Sequence, residues 1–548
     1  MATSAFQVEG GLNGPGEPQN NWVSWERAGL VEPSGSAVGF WERYEEHLDR
    51  VAAMGCDVFR LGIEWARVEP EQGQIDTSAL DVYEAILEAC AERGIEPFVT
   101  LHHFTHPAWL GEDFWLSSGS PDLYAAWVGL VIDRLGDRCR HWVTINELNI
   151  LAFANYVIGI YPPGRKMAMG DFNTATSHLL TAHVKGYEQI HARNPDAFVT
   201  TNNSATSIYE YDRLFVDMLL APASGVARDE VEDWLGERRS AWYAAIDPPS
   251  PLEKLIRRAS AATAPLARRP LARSLRRDSA VSSRREVTPF ASTLDAVYAS
   301  PHLLSLDALA IDYYDPVASN HMRLPGHSTA GGRSMAPGGE LWDESVNPAG
   351  LNRYLRANVE MSAAASSALM AAGAAKAGSA RKAASTTRAT GVAKAAGSTK
   401  ATGTVKAGGT AKAAGTAKAG GSRAGRRSQS RPLEIWVVEN GMCNRVRRGR
   451  SFDRLDGWDR PRFMREHLRA VVDALDTGLP VAAYLHWSLV DNYEWGSYEP
   501  RFGIHGVDRE RNVRILDKDS MGDDSAGAYR DLVKGLKAGD RSVLDPER

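Results

Sequence analysis

Seven short apolar runs punctuate the chain: CDVFRLGI (56–63), EPFVTLHH (96–103), HWVTINE (141–147), AFVTTNNS (197–204), DALAIDYY (307–314), LEIWVVENG (433–441) and VAAYLHWSL (481–489). They are apolar on both faces, the pattern of strands covered on both sides in a parallel sheet. Longer stretches of helical period separate them. In 39–54, for example, Phe40, Tyr44, Leu48 and Val51 share one face while Glu42, Arg43, Glu46 and Asp49 share another. Strict alternation of strand and helix predicts an α/β fold, a (β/α)8 TIM barrel with one strand unaccounted for.

The alternation is interrupted at 362–431, a segment built almost wholly of Ala, Gly, Ser, Thr, Lys and Arg. Lys382, Arg388, Lys394, Lys400, Lys406, Lys412 and Lys418 recur every six residues. Gly in almost every unit costs about 1 kcal/mol against Ala in a helix, and no apolar face recurs, so the segment is expected to be disordered. The organisation read from the chain is therefore a barrel domain in two parts, 1–361 and 432–548, around an insertion at 362–431. A second basic stretch, 257–285, reads as an exposed loop.

Composition sharpens this picture. With 43% hydrophobic residues and 15 Trp among 548 residues, the chain can bury a large core, which excludes a wholly disordered or collagen-like protein. The net charge of -5 conceals an asymmetry: 362–431 holds thirteen Lys or Arg and no Asp or Glu, leaving -18 on the rest. That acidic remainder does not suit nucleic acid. The insertion alone could hold nucleic acid or an anionic surface, by charge and without sequence specificity. No run of about 18 apolar residues occurs, and the first thirty residues lack a charged region followed by an apolar one, so no membrane partner is expected and the location is read as cytoplasmic. Cys56, Cys90, Cys139 and Cys443 form no CxxC pair and suggest reduced thiols rather than a zinc site or disulfides.

In such a barrel the strand C-termini open into the loops of the active site. Polar residues gather there: Arg60, His102, His103, Asn146, Glu147, Tyr313, Tyr314, Glu439, Asn440, and Trp487 followed by Asp491, Asn492, Glu494 and Trp495. Taken singly, a Glu ending a strand reads as a cap or an ion-pair partner, Arg60 as a rim salt bridge, Tyr314 and Trp487 as packing, and His103 as a core histidine. Two carboxylates on different strands amid aromatic rings change that reading. Glycosidic bond cleavage needs one acid to protonate the leaving oxygen and one carboxylate to meet the oxocarbenium ion.

ATSAFQVEG, FRLGIEWARVEPEQG, TLHHFTHPAWL, WVTINELN, DALAIDYY, WVVENG and HWSLVDNYEWGSYEPRFGIHGVD follow one another as in the family 1 glycoside hydrolases of β-glucosidase and β-galactosidase type. The chain resembles that family over almost its whole length outside the two basic stretches. The resemblance implies a retaining β-glycosidase that releases terminal β-linked glucose, galactose or a related sugar from a small glycoside, without metal or organic cofactor. It implies Glu147 as acid/base and Glu439 as nucleophile, with Arg60 and Tyr314 orienting Glu439 and keeping it ionised. Asn146 would bind the sugar 2-hydroxyl, Gln7, His103, Glu494 and Trp495 would grip the distal hydroxyls, and Trp487 would form the sugar platform. His102, one residue off the matching position, is assigned to structure. Glu147 must hold its proton near neutral pH, which burial and the charge of Glu439 would favour, while Arg60 supplies the opposite charge beside Glu439. An acidic group at 494 disfavours a 6-phosphorylated sugar.

Three departures from the family pattern stand out. Leu148 replaces the Pro that follows the acid/base Glu, and Asp312 replaces the Asn of an NYY motif, adding charge near Glu439 if it points inward. ATSAFQVEG also begins where the first strand should be ending, so most of that strand is expected to be missing, with two edges left unpaired. Two rival readings share these residues: a transglycosylase of the same family, and a barrel that has lost catalysis and binds or tethers through its Lys-rich repeat.

Overall fold

Each apolar run contains a strand: Val58–Gly62, Glu96–Thr100, His141–Val143, Phe198–Thr200 continued by Asn202–Ser204, Ala308–Asp312, Glu434–Glu439 and Val481–Tyr484. The computed structural model describes residues 1–206, 208–246, 289–314, 328–329, 332–333, 346–393, 432–447, 450–454, 457–509 and 513–545. The chain divides into two units, Met1–Ala365 with Leu433–Arg548, and Ser366–Pro432. The basic stretch 257–285 and the part of the repeat at 394–431 lie outside the described residues.

The strands form two parallel half-sheets. One runs 58–62, 96–100, 141–143, 198–200; the other runs 202–204, 308–312, 434–439, 481–484. They meet at Thr201, where the 198–204 run changes neighbours. On the opposite side the gap is filled by Met1–Thr3. Ala2 bridges both Arg60 and Trp487. Its N–H donates to the His486 carbonyl at 2.9 Å, Thr3 donates to the Arg60 carbonyl at 2.9 Å, and Arg60 donates to the Met1 carbonyl at 2.9 Å. The expectation of two unpaired edges is corrected here, because Met1–Thr3 reach both neighbours and complete the (β/α)8 ring.

Alternation along the strands sorts side chains between helices and barrel interior. Phe98, Val143, Phe198, Ala308, Ala310, Trp436 and Val438 face inward with Ala2 and Leu485. The Trp436 ring lies 5.3 Å from Phe98 and 4.6 Å from Phe198, so the lower barrel is packed solid. Above this plug the interior turns polar. Between Ile311 and Asp312 the register against the neighbouring strand slips, so that Ile311 faces Val437 but Asp312 faces Glu439. Val438 is the extra residue. Strict alternation from Trp436 and Val438 would turn Glu439 toward the helices; the bulge re-aims it into the barrel mouth.

The helix expected over 39–54 spans Phe40–Ala53 and buries Phe40, His47, Leu48 and Val51, with Tyr44 half-buried. Another helix, Pro348–Ala393, runs into the segment expected to be disordered. Fourteen Ala against three Gly between 362 and 393 explain this, since the intrinsic preference of Ala outweighs three glycine penalties. All four cysteines are free. Among the described residues no helix is long and apolar enough to cross a membrane.

Candidate active site

Arg60 is fully buried and organises the mouth of the barrel. Its Nη1 lies 2.5 Å from Glu439 Oε1, its Nη2 donates to Asn146 Oδ1, and its Nε donates to Thr100 Oγ1 at 3.0 Å. The Tyr314 hydroxyl donates to the other Glu439 oxygen at 2.6 Å. Both oxygens of Glu439 are thus held by donors from two other strands. Tyr313, next to Tyr314, faces away and donates its hydroxyl to the Asn347 carbonyl at 3.1 Å.

Glu147 sits where the chain leaves the His141–Val143 strand for the helix Leu148–Phe153. Its backbone is left-handed, with φ 38° and ψ 54°. A non-glycine residue is uncommon there, and the conformation turns the side chain toward Glu439 rather than along the strand. One carboxyl oxygen each from Glu147, Asp312 and Glu439 lie within 4.8 Å of one another, all three residues being buried. Burial first, then the charge of Glu439, pushes the Glu147 carboxyl up to about 8. Burial also raises Glu439, but the Arg60 guanidinium and the Tyr314 hydroxyl pull against it. The ion pair belongs to Glu439. Glu439 therefore carries the negative charge and Glu147 keeps its proton, two carboxyls set to opposite states by their partners.

The sugar-binding candidates also converge. Gln7, on the short turn Ala5–Val8, donates its amide to Asn492 Oδ1 and Glu494 Oε2, each at 3.0 Å, and its own oxygen accepts from Ser4 at 2.6 Å. Trp487 donates its indole N–H to Glu494 Oε1 at 3.2 Å. Burial pushes Glu494 up to about 8. His103 stacks between Trp487 and Trp495, with centroids at 5.9 and 5.5 Å, and its Nε2 accepts from the Asn146 amide at 3.0 Å. That contact puts the ring proton on Nδ1, which meets no acceptor among the described residues. Phe6, Trp22, Phe104 and Tyr161 pack around Trp495 and stiffen this wall. His102 points elsewhere, edge-on to Trp115 at 5.2 Å.

Three residues of this cluster carry no assigned role in the sequence reading: Thr100, Asn202 and Asn492. Asn202 donates to Asn146 Oδ1 at 2.8 Å and to Asp312 Oδ2. A signal for it existed, because Phe198, Thr200 and Asn202 fall on one face of the 197–204 run. Asp312 does point inward and is fully buried. The spacing of the three carboxyls is one that a cation could use, but the Arg60 guanidinium already places positive charge against Glu439.

The family model for glycosyl hydrolase family 1 matches residues 1–227 and 346–534. A coniferin beta-glucosidase from Pinus contorta is 32% identical over 198 residues, covering 33% of this chain and 39% of that protein. A 6-phospho-beta-galactosidase from Clostridium acetobutylicum is 30% identical over 197 residues, covering 36% and 42%. These two alignments span about two fifths of the relatives' lengths. A 1,4-beta-D-glucan glucohydrolase from Thermotoga neapolitana aligns end to end, 23% identical over 536 residues, 95% of this chain and 94% of that one. Among solved structures, a beta-glucosidase from Thermotoga maritima in complex with noeuromycin superposes with a TM-score of 0.63 at 18% identity, covering 97% of this chain and 96% of that chain, a likeness of fold. Matched by the family model over 1–227 and 346–534, more than half of its length, the chain belongs to glycosyl hydrolase family 1.

Proposed function

We propose that this protein is a retaining β-glycosidase that removes a terminal β-linked glucose, galactose or related sugar from a small glycoside. One observation carries the reading: two buried carboxyls with oxygens within 4.8 Å, one ion-paired to Arg60 and the other pushed up to about 8 by burial and the charge of Glu439. That separation suits direct attack, since retaining enzymes hold their carboxyls at about 5 to 5.5 Å while inverting enzymes leave room for a water.

In the first half-reaction a Glu439 oxygen attacks the anomeric carbon while Glu147 gives its proton to the departing oxygen. The C–O bond to the aglycone breaks, and its electrons leave with the protonated alcohol. Glu439 is then a neutral ester, so the charge that kept Glu147 protonated is gone. In the second half-reaction the Glu147 carboxylate takes a proton from water, whose oxygen displaces Glu439 and restores both groups. Asn146, fixed by Arg60, Asn202 and His103, presents its amide to the 2-hydroxyl. His103 Nδ1, Gln7 and Glu494 take the distal hydroxyls, and Trp487 stacks against the apolar face of the ring.

Glu494 meets Gln7 and Trp487 rather than a cation, which favours a neutral sugar over a 6-phosphorylated one. Free thiols throughout suit a cytoplasmic setting. The oppositely protonated pair stands against a barrel that has lost catalysis. The test is a panel of nitrophenyl β-glycosides on the purified protein with Glu439→Gln as control; no turnover of any of them, or turnover that survives in the variant, would overturn the assignment.

A further inference from the structure

The third carboxyl of the site remains to be explained. Asp312 ends the strand Ala308–Asp312 and is fully buried. Four groups face it from four other strands: Glu439, Glu147, Arg60 and Asn202, while Tyr313 and Tyr314 follow it on its own strand. Its Oδ2 accepts from the Asn202 amide. Its Oδ1 receives no N–H or O–H donor among the described residues and lies 3.9 Å from Arg60 Nη1. Glu147 faces it on the remaining side, with one carboxyl oxygen of each residue within 4.8 Å of the other. Two carboxyls in that relation are both acceptors until one of them carries a proton.

The charge count points the same way. Arg60 supplies one positive charge to this buried volume, and Glu439 is its 2.5 Å partner. A second carboxylate would sit beside the first with the guanidinium already engaged, and a third would be worse still. The neutral acid is also the nearest shape to the Asn of the family motif, with an O–H where the amide has N–H.

We propose that Asp312 is a positioning residue, held as the neutral acid and donating a hydrogen bond to the Glu147 carboxyl, so that the cluster of Glu147, Asp312 and Glu439 stores two protons and one negative charge at rest. This rests on the reading of Glu147 and Glu439 given above. Burial first, and then the charge of Glu439, hold the Asp312 carboxyl well above the usual carboxylate range. The device acts after the first half-reaction. Glu147 is then the carboxylate, Glu439 is an ester, and the Asp312 O–H supports the new charge without giving up its proton.

The experiment compares wild type, Asp312→Asn, Asp312→Ala and Glu147→Gln by difference infrared spectroscopy near neutral pH, reading the C=O stretch of protonated carboxyls, alongside kcat and KM for an aryl β-glucoside. Asp312→Asn should remove one protonated carboxyl and Glu147→Gln another. Asp312→Asn, which keeps a neutral donor, should hold kcat within about threefold, while Asp312→Ala, which loses it, should drop kcat about 10-fold or more with KM little changed. An unchanged protonated-carboxyl signal in Asp312→Asn would mean that Asp312 is ionised and overturns the proposal. So would a folded Asp312→Asn as inactive as Asp312→Ala. If wild type turns over no β-glycoside, the glycosidase reading fails, and the infrared comparison still decides where the second proton sits.

Discussion

Tyr314→Phe removes one hydroxyl and leaves the ring in place. That hydroxyl donates to Glu439 Oε2 at 2.6 Å, while Arg60 holds Oε1 at 2.5 Å. A hydrogen bond to an ionised group contributes about 1.5 to 3 kcal/mol, and about 1.4 kcal/mol corresponds to one pKa unit, so Glu439 should titrate roughly 1 to 2 units higher in the variant. The sign follows from which form the donor favours. It favours the carboxylate, so its loss raises the pKa, and the nucleophile is then ionised only at higher pH. The acid limb of kcat/KM reports that ionisation in the free enzyme and should move up by the same amount. The assay is a pH profile of kcat/KM for an aryl β-glucoside with a good leaving group, for which attack depends least on Glu147, with thermal melting to verify the fold. An acid limb that stays within about 0.3 unit, worth about 0.4 kcal/mol, in a folded variant would refute the argument that Tyr314 supports a charged Glu439.

The two carboxyls should fail differently when removed: Glu439→Ala regains turnover with azide or formate and yields inverted product, whereas Glu147→Ala still forms the glycosyl-enzyme from substrates with good leaving groups. Identical rescue of both variants would undo the division of roles. Because Glu147 must be protonated and is pushed up to about 8, kcat/KM should fall as pH rises through that value, and Glu147→Gln should lack that limb; a profile flat to well above it would contradict the burial argument. Deleting Ala371 to Gly425 should leave kcat and KM within about twofold, since the segment rejoins the barrel at the start of the Glu434–Glu439 strand while Glu439 stands at its end, and the deletion should remove any salt-sensitive binding to DNA. A larger loss of turnover in a folded variant would show that the segment reaches the catalytic residues.

What the sequence made legible was the lattice of the barrel. Seven apolar runs became seven strand positions because burial on both faces leaves an unmistakable composition. Met1–Thr3 escaped because three residues carry no period. The site was legible in residue type but not in aim. Period two carried inward from Phe98 and Thr100 selects His102, yet the chain leaves strand geometry after Thr100 and it is His103 that meets Asn146. The same alternation, carried from Val143, selects Glu147 but passes over Asn146, which nonetheless meets Arg60, and it fails at Glu439 through the bulge at Val438. Where alternation does hold, it places Asp312 inward, and it would have found Asn202, which has no assigned role in the sequence reading. The helix through 362–393 was hidden by a reading that counted glycines per repeat rather than alanines per turn.

The seam at Thr201 bears on how catalytic competence arises. Glu147 belongs to the half-sheet that ends at Thr200, and Glu439 to the half that begins at Asn202 and needs residues as far as Tyr484. A chain made from its N-terminus completes the first half long before the second exists, and domains of this size gain structure in stages. Glu439 and Glu147 therefore come together only when the last strands dock. During refolding the helical signal should recover before turnover does, and the interval between them measures the joining of two half-barrels rather than the formation of either.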